Sequence, residues 1–279
     1  MDQKSDLISR PLLIILSLFS MVGLLAGQYN STDHVNEREL FPWPEGIHFA
    51  VSLTFDDARF SQIDSGIPLL NAYNIKATFY LSPENIEPRI EGWRAAIING
   101  HEIGNHSMTH PCTGNYAFSR NNALENYTLE QMADELDKAN AFILSVLNIC
   151  PMAFAYPCGQ SFVGFGIHTR SYVPLVAERF VTGRKWLSEA ANDPYICDMA
   201  QLMAMESDQK SFAEIVSLME DAKAEGRWLI LVGHEIGDTG FQTTSLKMLD
   251  QLCQYANNEH NGVWMDTVSR IAAYILSHK

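Results

Sequence analysis

Two stretches of the chain place metal-ligating and acid–base residue types at close spacing. VSLTFDD ends an apolar run on adjacent carboxylates, Asp56 and Asp57. HEIGNHSMTHP, residues 101–111, offers His106 and His110 four positions apart, with Pro111 directly after. Residues i and i+4 share one side of a helical turn, so the spacing predicts both imidazoles facing one point. Pro111 then ends that turn. Two imidazoles and one carboxylate leave positions open for water and substrate, which is how a catalytic divalent-metal site is laid out. Neighbouring carboxylates point apart, so one of the two can ligate while the other stays free as a base. Nitrogen and oxygen donors suit zinc first, and cobalt, nickel or manganese also fit. Taken singly, the histidine pair would be a surface helix and the aspartate pair a solvated turn. Each follows a strand-like run, and together they read as one site.

The elements that must position these groups follow from pattern. HFAVSLTF, residues 48–55, is β-branched and aromatic and reads as a buried strand. A helix is expected over 61–73, strands over 77–81 and 101–105, and between them a helix over 88–99 closed by Gly100. Thr128-Leu129-Glu130-Gln131 resembles a capping box opening a helix that runs to about Leu147. MAFAY (152–156) and RWLILV (227–232) read as further strands, followed by Pro157 and by His234. Residues 160–210 show little regularity beyond a helix near 172–179 and a strand at 180–182. Helices over 212–225, 246–255 and 267–277 and a strand over 262–265 complete the chain. Strands alternating with helices imply a parallel sheet, and in that architecture the loops after strands carry the site. Asp56, Asp57, His106, Cys158 and His234 all fall there. The word GHEIG occurs at Gly100 and again at Gly233, which reads as two loops doing similar work.

The whole chain has 279 residues, 47% hydrophobic and 19% charged, with a net charge of -14. This is globular composition, and without a basic run it excludes nucleic acid as a partner class. Residues 11–27 (PLLIILSLFSMVGLLAG) are uncharged and follow a short charged start, as in a signal peptide or signal anchor. Residues 28–46 read as a linker, and 47–279 as one catalytic domain. The folded part is therefore expected to be exported: secreted, periplasmic or on the cell surface. Membrane contact is expected only through the N-terminal segment, if uncleaved. Five cysteines, at 112, 150, 158, 197 and 253, form no CxxC pair. Buried free thiols are the default reading, with a Cys112–Cys158 bridge as the alternative.

TFDD (54–57), HSMTHP (106–111), FAYPCG (154–159) and LILVGH (229–234) resemble, in order, the motifs of the polysaccharide deacetylases, the NodB-homology or carbohydrate esterase family 4 enzymes. The resemblance runs from residue 47 to about 270. It implies a distorted (β/α) barrel in a single α/β domain. It implies Asp56 as general base, Asp57, His106 and His110 as metal ligands, and His234 as general acid. It implies that Cys158 gives a backbone N–H to the oxyanion, and that Tyr156, Pro157 and Val232 line the groove for the acetyl methyl.

The chain departs from the family at Ala155, where many members carry a base-orienting arginine, and at Cys158, where an aromatic is usual. Asp198 and Asp208 are candidates to orient the acid histidine, and Arg184 to orient the base; each also reads as surface charge. Trp43, Trp93, Trp186 and Trp228 are candidates for stacking on sugar rings, Trp228 being the one best explained as core. Residues 112–127 form an insertion with Tyr116, Phe118 and Tyr127 that is expected to shape the groove. The function implied is metal-dependent removal of acetyl groups, N-acetyl ahead of O-acetyl, from a carbohydrate polymer or oligosaccharide. The alternatives are hydrolysis of a linear non-peptide C–N bond in a small molecule, and a non-catalytic carbohydrate-binding relative.

Overall fold

The computed structural model describes residues 40–279. The expected signal or anchor segment, and the expected linker up to residue 39, lie outside them. The described chain opens with β1 (Phe49–Asp56), buried at every position. A strand covered on both faces has no polar side to present, which is why its sequence is almost continuously apolar. The elements that follow are α1 (Ile67–Ala72), β2 (Thr78–Leu81), α2 (Ile90–Ile98) and β3 (Glu102–Asn105). α3 (Leu129–Leu147) begins on the expected capping box, with Thr128 accepting from the Gln131 N–H and Gln131 reaching back to Thr128. Its buried positions, Met132, Leu136, Ala139, Ile143 and Leu147, recur at helical spacing.

β4 (Ala153–Ala155), a β5 (Phe162–Val163) to β6 (Arg170–Ser171) hairpin, α4 (Val173–Arg179), β7 (Thr182–Arg184) and β8 (Met205–Glu206) follow. Then come α5 (Phe212–Ala224), β9 (Trp228–Gly233), β10 (Glu235–Gly237), β11 (Thr243–Ser245), α6 (Leu246–Ala256), β12 (Val263–Met265) and α7 (Val268–Ser277). The helix expected over 61–73 is divided: a π-helical turn, Gln62–Gly66, precedes α1. The strand expected at 180–182 lies two residues later, as β7. That shift matters, because it puts Arg184 in the sheet.

The strands β1, β2, β3, β4 and β7 pair in parallel, each with the next, and β8 pairs β9, which returns to β1. A parallel bridge between Arg184 and Leu202 joins β7 to the segment leading into β8. Strands in chain order that come back to the first make the distorted (β/α) barrel expected from the resemblance. β12 shares one edge of β1 with β2: it pairs with Phe49–Val51, and β2 pairs with Thr54–Asp56.

Alternate residues divide the core in two. Phe49, Val51, Leu53 and Phe55 pack outward with helix residues such as Leu70, Trp93, Ile215 and Leu252. Ala50, Trp228, Ile230 and Val232 pack with α7 and with Phe41 and Trp43. α7 spans the entry end of the strands, where its Val268 N–H donates to Thr78 Oγ1 at 3.0 Å. Residues 40–46 are therefore fold rather than linker. Trp43 Nε1 donates to the Gly226 carbonyl at 2.9 Å, and Tyr274 to that of Pro42 at 2.8 Å. Trp43, Trp93 and Trp228 are all buried, so they are core and not sugar platforms.

The two GHEIG words do not do similar work. Gly100–Gly104 enters β3 at the floor of the barrel, whereas Gly233–Gly237 leaves β9 at its mouth.

Candidate active site

A cavity of about 690 Å³ opens at the exit ends of the strands. β1 delivers Asp56 to it, and the chain then turns sharply, with Asp57 (φ 72°) and Ala58 (φ 53°) both left-handed. Two amides hold this turn. Asn85 Nδ2 donates to the Asp57 carbonyl at 2.9 Å. The buried Gln62 donates to the carbonyls of Asp56 (2.6 Å) and His234 (2.8 Å), tying the ends of β1 and β9 together.

His106 follows β3 directly. Its Nδ1–H donates to the Ala155 carbonyl at 2.9 Å, so Nε2 faces the cavity, 3.4 Å from Asp57 Oδ1. His110 Nε2 lies 3.5 Å from the same oxygen. The segment between the histidines is not the expected helical turn. Ser107 (φ 64°) and His110 (φ 52°) are left-handed, and the His110 N–H donates to Ser107 Oγ at 3.0 Å. A tight loop brings together rings that the spacing alone would put on a helix. The ligand atoms of Asp57, His106 and His110 all lie within 4.8 Å of one another. Their types, their spacing and the carbonyl that fixes the His106 tautomer fit a divalent cation. Arg59 takes the other Asp57 oxygen at 3.0 Å.

Burial alone would raise the Asp57 carboxyl. Its contact with His106 and the charges on His106, His110 and His234 outweigh that and hold it far below the usual carboxylate range. Burial, helped by His106, lowers His110 to about 4, which keeps its ring neutral and ready to ligate.

On one wall, Arg184 donates to Asp56 Oδ1, with both side chains buried. The guanidinium lies over the Tyr80 ring, 4.6 Å from its centroid. This arginine, from β7, stands where Ala155 leaves a gap. On the opposite wall, His234 Nδ1 is 2.7 Å from Asp208 Oδ2, and Thr244 donates to Asp208 Oδ1 at 2.7 Å. Burial would lower the His234 pKa; the Asp208 hydrogen bond and the charges of Asp56, Asp57 and Asp208 raise it above the ordinary value. Gly233 makes room for this pair, since a Cβ there would come within 2.2 Å of Thr244 Oγ1. Trp186 packs edge-on against His234, ring centroids 5.3 Å apart.

Asp56, Asp57, His106, His110, Tyr156, Cys158 and His234 all line the cavity. Pro157 and Val232 do not: both are buried, and Val232 belongs to the core beside Ile230. The Tyr156 hydroxyl donates to the Ala200 carbonyl at 2.7 Å. Of the orienting candidates, Arg184 and Asp208 reach the site. Asp198 instead caps a short turn through the Ala200 N–H. Tyr116 and Phe118 of the insertion also line the cavity, stacked at 5.4 Å. Arg59, Gln62 and Thr244 carried no sequence signal. The default of free thiols is corrected at two positions: Cys112 and Cys158 form a disulfide, because the loops after β3 and β4 meet at the cavity wall. Cys150, Cys197 and Cys253 are free.

Residues 46–177 match the family model for polysaccharide deacetylase. A peptidoglycan-N-acetylglucosamine deacetylase of Bacillus cereus is 36% identical over 81 residues, 25% of this chain and 30% of that one. The chain thus spans less than a third of the length of the curated relatives it matches. Among solved structures, a Mycobacterium smegmatis protein provisionally described as a polysaccharide deacetylase superposes with a TM-score of 0.61, at 16% identity, over 85% of this chain and 93% of that one. A pseudoenzyme of carbohydrate esterase family 4 from Bacillus anthracis superposes with a TM-score of 0.51, at 15% identity, over 81% and 66%. At such identities these likenesses concern the fold.

Proposed function

This chain belongs to the polysaccharide deacetylase family, and from that premise we propose that it is a metal-dependent hydrolase of acetyl groups, N-acetyl ahead of O-acetyl, on a carbohydrate polymer or oligosaccharide. The observation that carries this reading is the placement of two independently braced groups, Asp56 with Arg184 and His234 with Asp208, beside the Asp57–His106–His110 cluster.

Asp57, His106 and His110 would hold one divalent cation, zinc first and cobalt, nickel or manganese as alternatives, which when bound polarises the acetyl carbonyl and lowers the pKa of water to about 7 in favourable cases. Asp56 accepts the proton of the attacking water. Arg184 occupies Oδ1, and Oδ2 is the oxygen turned toward His106, 3.9 Å from its Nε2. His234 gives a proton to the leaving nitrogen. Asp208 holds its Nδ1–H, so the transferable proton sits on Nε2. The Cys158 N–H serves the oxyanion, where losing one donor costs roughly 3 kcal/mol. Tyr156, which lines the cavity, forms the wall of the acetyl pocket.

Residues 47–279 form the catalytic domain in this reading, with 40–46 packed onto it, 28–39 leading into it and 1–27 directing export. The disulfide supports an oxidising compartment. Among the described residues, no helix is long and apolar enough to cross a membrane. Acetate release from acetylated oligosaccharides, with and without a chelator, tests the function. Full activity after complete metal removal ends the metal-hydrolase reading. Asp56→Asn should keep its metal and lose about 10²–10⁴ in turnover; a variant that works normally overturns the base assignment.

A further inference from the structure

None of the steps above uses the Cys112–Cys158 disulfide, yet it lies against a proposed metal ligand. The two ring nitrogens of His110 face different groups. Nε2 is 3.5 Å from Asp57 Oδ1, and Nδ1 is 3.7 Å from Cys112 Sγ. The donor atoms of His110, Cys112 and Cys158 lie within 4.8 Å of one another. A tetrahedral ion with sulfur ligands at about 2.3 Å and nitrogen at about 2.0 Å spans such a set. Cys112 is fully buried and Cys158 lines the cavity.

We propose that His110, Cys112 and Cys158 form a second, thiolate-bearing metal site that exists only when the disulfide is reduced. The disulfide masks this site and reserves His110 for Asp57 and His106. One sulfur–sulfur bond separates two outcomes for the same ring. A neutral imidazole has a single free lone pair, so His110 can serve Asp57 and His106 through Nε2, or the thiols through Nδ1, but not both. Opening the bond takes two electrons. A phosphine reductant with one water gives the phosphine oxide and two thiols. A soft divalent cation then displaces the two thiol protons to solvent and binds two sulfurs and one nitrogen. Such a set prefers zinc, cadmium or cobalt over hard cations. In a reduced chain, metal would therefore be drawn toward the thiols and away from the carboxylate.

The role of His110 toward Asp57 rests on the function proposed above; the thiolate site itself does not. Cobalt(II) alone is the probe, added to the full chain before and after phosphine reduction. The oxidised protein should show only ligand-field bands of nitrogen and oxygen ligands. The reduced protein should gain a sulfur-to-cobalt charge-transfer band, absent from Cys112→Ser and from Cys158→Ser. Alkylating the thiols of reduced protein should abolish the band without any substitution, should either variant fail to fold. Cobalt bound to reduced protein with no charge-transfer band overturns the proposal, as does a band that survives in both serine variants. Cobalt refused by the oxidised protein, with the band present after reduction, would instead sink the Asp57–His106–His110 reading and leave this one standing.

Discussion

The pentapeptide GHEIG occurs at both ends of the barrel, and the two copies have opposite fates. At the floor, both nitrogens of His101 are used by the protein. Nδ1 accepts from the Ala77 N–H at 3.2 Å and Nε2 faces Asn71 Oδ1 at 3.1 Å. Burial, with Lys76 nearby, lowers it to about 4. At the mouth, His234 has one nitrogen on Asp208 and lines the cavity, and its pKa is raised. The acids differ likewise. Glu102 is half-buried as a residue, accepts from Thr78 and Ser269, and the desolvation of its carboxyl pushes its pKa up. Glu235 is half-exposed and faces Arg59 at 3.9 Å. Even the glycines serve different needs: Gly100 supplies a left-handed turn (φ 85°) after α2, whereas Gly233 leaves space for Thr244. A parallel strand has an entry end closed by helix α7 and an exit end open to ligand. Which end a residue occupies decides its chemistry, and its local word does not.

The sharpest way to break this contrast is to change each histidine. His234→Asn should lose about 10²–10⁴ in turnover. His101→Asn should keep turnover and lose about 1–3 kcal/mol of stability through unpaired buried groups. Equal loss of turnover in both, read beside melting temperatures, would erase the distinction.

The two histidines should also shape stability against pH in opposite senses. The folded pKa of His101 is lowered to about 4, so its contribution is whole above the unfolded value near 6.5 and drains away as pH falls toward 4. At about 1.4 kcal/mol per unit this is on the order of 3 kcal/mol. The folded pKa of His234 is raised, so its contribution is whole below 6.5 and is lost as pH rises through the raised value. Denaturant midpoints from pH 4 to 9 should therefore flatten on the acid side in His101→Asn and on the alkaline side in His234→Asn.

A smaller effect is expected from Asp208→Asn. Without that carboxylate the His234 proton leaves earlier, so the alkaline limb of kcat/KM should move to lower pH. Glu102→Gln should leave the limb in place. Glu235→Gln, which removes a half-exposed pair, should change stability by less than about 1 kcal/mol in chemical denaturation.

Much of this arrangement is legible in the sequence. The nearly continuous apolar run of β1, ending on Asp56, marks a doubly covered strand, and strand–helix alternation marks the parallel barrel. The strand-end placement of Asp57, His106 and His234 followed from those two readings. The parts that were hidden share a cause. β7 and β8 are two or three residues long and show no periodicity, so the sheet position of Arg184 left no trace. An i, i+4 pair looks the same on a helix as in a loop with left-handed residues at Ser107 and His110. The Cys112–Cys158 bridge depends on two loops meeting 46 residues apart, and the partnership of Asp208 with His234 depends on where β8 and β9 end. Trp43 could be told from a sugar platform only by what covers it.

The divided edge of β1 sets an order on how the molecule can be made. β2 covers only the half nearer the mouth, and the other half waits for β12. The hydroxyl of Ser52 donates to a carbonyl 214 residues downstream, that of Asp266. A nascent chain leaving the ribosome therefore carries an unsatisfied, apolar β1 through most of its synthesis. Closure that depends on so distant a segment is slow, because the ends of a long loop must first find each other. Such a chain exposes an adhesive strand to its neighbours until the last turn of the barrel arrives.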